Sequence, residues 1–107
     1  MLVGVIDTMF VTSTPLVADG STPPVTYTGP VKGTVAAWGA FGGGTLVMQM
    51  SPDSGTTWIN LDPTGSTAAT FTANGVGNFQ LNMPCQLRAV LSGATSPSVN
   101  ISWNETV

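Results

Sequence analysis

Along most of this chain apolar and polar residues alternate, so successive side chains fall on opposite faces of an extended backbone. Leu46, Met48 and Met50 share one face while Thr45, Gln49 and Ser51 take the other, with Val47 out of pattern. Thr57, Ile59 and Leu61 oppose Thr56, Trp58 and Asn60. Phe79, Leu81 and Met83 oppose Gln80 and Asn82, and Leu87, Ala89 and Leu91 oppose Arg88, Val90 and Ser92. Val99, Ile101 and Trp103 oppose Asn100, Ser102 and Asn104. Each segment predicts a strand with one core face and one outer face. No stretch of helical length places apolar residues at i, i+3, i+4 and i+7.

The turn residues agree. Ser51-Pro52-Asp53-Ser54-Gly55 joins two strands, with proline presetting φ and glycine accepting a positive one. Asn74-Gly75 predicts a two-residue hairpin, and Ser92-Gly93-Ala94-Thr95-Ser96-Pro97 separates the last two strands. Further strands are predicted near 25–28, 31–41 and 68–73, the first bounded by Pro23-Pro24 and Gly29-Pro30. About seven to nine short strands cannot lie as one open sheet with a single covered face. The prediction is an all-β, antiparallel β-sandwich forming one domain over residues 1–107. Its connectivity, immunoglobulin-like or jelly-roll, stays open at this point.

The first dozen residues break the alternation. Leu2, Ile6 and Phe10 lie on one side of an extended segment, and Val3, Val5, Met9 and Val11 on the other. A strand apolar on both faces is central in its sandwich or covered by a neighbour. Because the polar stretch Thr12-Ser13-Thr14-Pro15 follows, residues 1–14 are predicted to be an N-terminal docking arm. Leu2, Val3, Val5, Ile6, Met9 and Phe10 would then make its contact with another chain. The alternative is an internal strand of the same sandwich.

Composition sharpens the picture. Charged residues are 7% of the 107, against roughly 25% in typical domains, while hydrophobics are 42%. Hydration must come from neutral groups, chiefly 16 Thr, 9 Ser and 6 Asn. So thin a coat of charge does little to resist association, which points to life within a larger assembly. Only Lys32 and Arg88 are basic, the formal net charge is -3, and nucleic-acid binding is not expected. The chain contains no His, which removes the usual neutral-pH acid–base group and the Ser-His and Cys-His pairs. Cys85 is the single cysteine, so no intrachain disulfide forms, and a lone thiol suits a reducing compartment. The opening segment lacks a basic residue before its apolar stretch and is interrupted by Asp7, a poor match to a signal peptide. No apolar run reaches the length of a membrane-spanning helix.

Four motifs invite chemistry. Ser51-x-Asp53-x-Gly55-x-Thr57-Trp58 matches the Asp-box pattern of sialidases and related propellers. A sialidase would need several boxes, an arginine triad and a tyrosine nucleophile; with one box, one Arg and one Tyr, these residues are expected to staple a hairpin. Gly42-Gly43-Gly44 precedes a predicted strand, not a helix N-terminus, so it is expected to be a flexible or bulged loop and no phosphate cradle. Asp53 and Asp62 lack the spacing of a calcium loop, and five scattered acids do not form a glycosidase pair. Catalytic residues, cofactors and metals are therefore expected to be none. Trp103 points to the core by parity, whereas Trp38 and Trp58 point outward as a candidate exposed aromatic surface, covering a subunit contact or stacking on sugar rings.

From about Gly33 to Trp103 the chain resembles small neutral β-sandwich proteins of tailed-phage virions. The resemblance is carried by Gly43-Gly44-Thr45-Leu46-Val47-x-x-x-Ser51-x-Asp53-x-Gly55-x-Thr57-Trp58 and by Leu81-x-x-Pro84-x-x-Leu87-Arg88-Ala89. It implies a non-enzymatic virion component, a head decoration or cement subunit made in the bacterial cytoplasm. Its implied partners are the capsid protein and sister copies, as a trimer, with no membrane. A carbohydrate-binding or host-recognition module and a tail or neck subunit are the alternatives.

Overall fold

A computed structural model of the chain describes residues 10–12, 15–61 and 70–105, the first three and Glu105 by backbone alone. Ten strands are present among them: β1 (Phe10–Thr12), β2 (Gly20–Ser21), β3 (Val25–Tyr27), β4 (Val31–Ala40), β5 (Thr45–Ser51), β6 (Ile59–Asn60), β7 (Thr70–Phe71), β8 (Gly75–Leu81), β9 (Cys85–Ser92) and β10 (Ser98–Glu105). Every pairing is antiparallel. One sheet, called A here, runs β1-β10-β4-β8. In the other, sheet B, β9 and β5 are central; β2 and β3 lie in succession along β9, and β6 and β7 along β5.

Two pairs of short strands thus act as two interrupted edge strands, leaving four positions in each sheet. The ribbon reverses between β5 and β6. From that point β4 pairs with β8, β2 and β3 pair with β9, and β1 pairs with β10. This doubled-back ribbon, with its limbs crossing between two sheets, is a jelly roll. The fold is an antiparallel β-sandwich, and of the two open connectivities the strand order selects this one.

The inner faces meet in a core whose members alternate along each strand. Leu46 and Met48 on β5, Leu87, Ala89 and Leu91 on β9, and Val99, Ile101 and Trp103 on β10 are all buried, as their parity predicts. Trp103 Nε1 donates to the Tyr27 hydroxyl at 3.0 Å, joining the two sheets through the only polar atoms those rings carry. Between β2 and β3, Pro23-Pro24 offers no N–H, so the ladder is broken. Buried Thr22 bridges the gap: its N–H donates to the Ala89 carbonyl at 2.9 Å and its Oγ1 accepts from the Ala89 N–H at 3.0 Å.

The structure corrects several expectations. Asn74-Gly75 is not a hairpin turn, because β7 lies in sheet B and β8 in sheet A. Asn74 instead accepts the Gly39 N–H through Oδ1 at 2.9 Å, so its turn chemistry serves a crossing between sheets. Ile59 and Met83 are 49% and 44% exposed, not core. Ile59 shares a face with half-buried Met50, its register partner, but sits at the sandwich rim; Met83 lies beyond the end of β8. Gly42-Gly43-Gly44 forms a tight turn: Gly42 has φ +60 and a Cβ there would strike the Thr95 carbonyl, whose own N–H donates to the Gly42 carbonyl at 2.9 Å. Phe10–Thr12, predicted as part of a docking arm, pairs with β10 of the same chain, and Leu16 extends that edge by bonding both ways to Val99. Leu2, Val3, Val5, Ile6 and Met9 lie outside the described residues.

These positions separate by cost. Leu87→Ala should lower stability by about 2–5 kcal/mol and Ile59→Ala by less than about 1 kcal/mol, measured by urea denaturation. Equal losses would contradict the assignment of core and rim.

Candidate functional site

The reversal between β5 and β6 carries the best-defined polar arrangement among the described residues. Ser51 lies on the outer parity of β5, yet its own turn folds over it and leaves it 0% exposed. Its Oγ accepts the Gly55 N–H at 2.8 Å and that of Asp53 at 3.4 Å, and donates to Asp53 Oδ1 at 2.9 Å. Asp53 Oδ1 also accepts the Thr57 N–H at 2.7 Å. Gly55 is needed at φ +93, where an L side chain is strained and a Cβ would press on Gln86. Ser51, Asp53, Gly55 and Thr57 therefore come together as a hairpin closure. The bonds from Thr57 first, then from Ser51, hold the Asp53 carboxyl below its ordinary pKa of 3.8.

Trp58 leaves this turn onto the outer face of sheet B, where the Arg88 guanidinium sits 4.0 Å from its ring centroid. Arg88 Nε donates to Gln49 Oε1 at 3.0 Å, and Gln49 Nε2 to Asn60 Oδ1 at 2.8 Å. Beside this row Gln86 Nε2 donates to Thr26 Oγ1 at 3.2 Å. The one arginine is thus spent on a cation–π contact and a cross-strand ladder, a stacking worth about 0.5–2 kcal/mol. Trp58 is half-buried by it.

Trp38 stands on the outer face of sheet A, 42% exposed. Trp38 and Trp58 therefore occupy opposite sheets and do not form one aromatic surface, which corrects their grouping from sequence. Parity marked both as outward but carried no information on which sheet each belongs to.

At the same end as the reversal, a cleft of about 320 Å³ is lined by Tyr27, Thr28, Ser51, Ser54, Pro84 and Cys85 among others. Cys85 is buried, and desolvation raises its pKa, which keeps the thiol protonated and a poor nucleophile. Asp19 is committed elsewhere: its carboxylate oxygens accept the N–H groups of Gly93 and Ala94 at 3.1 and 2.9 Å. Among the described residues no three His, Cys, Asp or Glu side chains gather as a metal site, and no helix is long and apolar enough to cross a membrane. Asp62 lies outside the described residues.

Comparison with protein-family models and with curated proteins finds no match for the chain.

The depressed pKa of Asp53 fixes the sign of a pH effect. Its ionised form contributes stability above pH 3.8, and that contribution is lost as pH falls through the lower folded value. Wild type should therefore melt above Asp53→Asn at neutral pH, with the gap closing on acidification below about that pH. A gap independent of pH would contradict the geometry.

Proposed function

We propose that the chain is a non-catalytic structural subunit of a tailed-phage virion, a head decoration or cement protein acting through contacts with the capsid protein and with sister copies. The observation that carries this reading is the near absence of charge over a β-sandwich: 7% charged residues, with one of the two cations stacked under Trp58. Such a surface neither steers charged ligands nor repels its own kind. The jelly roll is a build that capsid domains use, and lectins also, so the fold is compatible and not decisive. The sequence resemblance over Gly33 to Trp103 points the same way.

The mechanism is physical. A subunit that binds only the assembled shell stabilises it by mass action, through surface buried across neighbouring subunits. A trimer seated on a local threefold axis suits this role, with synthesis in the bacterial cytoplasm and final residence in the virion. Neither nucleic acid nor membrane enters the reading.

Phe10–Thr12 belongs to the chain's own sheet, so the docking role falls to residues 1–9. Mass spectrometry of purified particles of the encoding phage should find the chain at a fixed ratio to the capsid protein. Deleting residues 2–9 should abolish that occupancy while leaving the urea midpoint of the isolated chain unchanged. Absence of the full-length chain from particles would overturn the virion role, and full occupancy by the deletion variant would overturn the arm.

A further inference from the structure

The outer face of sheet A is arranged as a shallow lattice. Reading across β10, β4 and β8, its rows are Asn100–Trp38, Ser102–Ala36–Val76, Asn104–Thr34–Asn78, and Lys32–Gln80; Ser102 is buried, so the open part of the face lies on β4 and β8. Trp38 is 42% and Val76 is 70% exposed. Ala36 and Ala40 flank Trp38 along its strand, so no tall side chain stands beside the ring on β4. Lys32 is the one charged side chain among the described ones on this face.

We propose that this face binds neutral carbohydrate, with Trp38 as the stacking platform for a pyranose ring. The indole presents an electron-rich face to the C–H bonds on the apolar side of a sugar. Three of the surrounding amides, Asn78, Gln80 and Asn100, are already oriented by hydrogen bonds of their own. Asn78 Oδ1 accepts the Thr34 hydroxyl at 3.0 Å, which aims its Nδ2 donor elsewhere. Asn100 Nδ2 donates to the Trp38 carbonyl at 3.4 Å, and Gln80 Nε2 to Asn82 Oδ1 at 3.3 Å, leaving their carbonyl oxygens as acceptors. Donors and acceptors held in place before binding reduce the entropy lost on forming a complex. From Trp38 to Lys32 the face runs about 20 Å, at ~3.4 Å per residue, room for more than one sugar ring.

Area argues against a protein in this position. The exposed part of Trp38 is on the order of 100 Å², and beside it this face offers only Ala36, Ala40 and Val76 as apolar side chains, too few to build the apolar centre of a stable protein interface. A protein here would bury Asn, Gln and Thr side chains, whereas a polyhydroxylated ligand bonds to them. Arg88 and Trp58 serve sheet B and take no part.

The test is titration of the full chain with cellohexaose, maltohexaose and chitohexaose, followed by tryptophan fluorescence and calorimetry. At least one should bind saturably. Trp38→Ala should weaken that binding about tenfold or more, Asn78→Ala and Gln80→Ala several-fold, and Trp58→Phe not at all. No saturable binding to any of the three overturns the proposal, as does binding indifferent to Trp38→Ala. Particle occupancy is read separately. A Trp38→Ala chain that keeps its place on virions but loses sugar binding supports the proposal, whereas loss of occupancy makes this face a subunit contact and overturns it.

Discussion

The reversal of the ribbon between β5 and β6 is the constraint on which the rest of this molecule depends. It is the one place among the described strands where consecutive strands pair directly. Outward from it, hydrogen-bonded partners grow steadily more distant in sequence: 11 residues for Gln49 and Asn60, 44 for Thr34 and Asn78, 60 for Thr26 and Gln86. Each doubling of a closed loop costs about 0.6 kcal/mol more, so closing the tip is favoured by about 1.2 kcal/mol over closing the fourfold longer Thr34–Asn78 loop directly, and later pairings then extend a ribbon already paired. Without the tip, the first contact would have to close a loop of tens of residues. The Ser51 and Asp53 bonds are thus placed where a small local energy sets the register of both limbs.

Strand chemistry explains why so much of this could be read without coordinates, and why some could not. Period-two alternation identifies Leu46, Leu87, Ile101 and Trp103 as inward because a pleat has only two faces. It does not report which of two sheets a strand joins, and in a jelly roll the limbs keep crossing between sheets. Trp38 and Trp58 were separable only once β4 fell in sheet A and the β5–β6 turn in sheet B. Asn74-Gly75 misled for the same reason, since a sharp turn serves a crossing as well as a hairpin. Ile59 followed the correct parity but met the rim, where the facing sheet no longer reaches. The Ser51-x-Asp53-x-Gly55 turn was legible because its bonds are local; the burial of Ser51 beneath it was not, because parity gave it to solvent.

The two outer faces divide the polar residues between different tasks. On sheet B the ladder from Asn60 through Gln49 to Arg88, capped by Trp58, consumes its hydrogen-bonding groups within the protein and ties three strands together. On sheet A the amides of Asn78, Gln80 and Asn100 are tied through one end each, and Trp38 stands 42% exposed. The edges are handled differently as well. Pro23-Pro24 interrupts one edge of sheet B and Thr22 repairs the bonds lost, which blunts the edge against pairing with another chain.

The dependence of the fold on its tip is tested most directly by folding kinetics. Ser51→Ala removes bonds made only within the turn, and Thr22→Val removes one that spans 67 residues. If the tip organises the roll, Ser51→Ala should slow refolding in proportion to its loss of stability, a φ-value near 1, while Thr22→Val should mainly speed unfolding. A Ser51→Ala variant that refolds at the wild-type rate and unfolds faster would show that the turn closes after the transition state, contradicting this account.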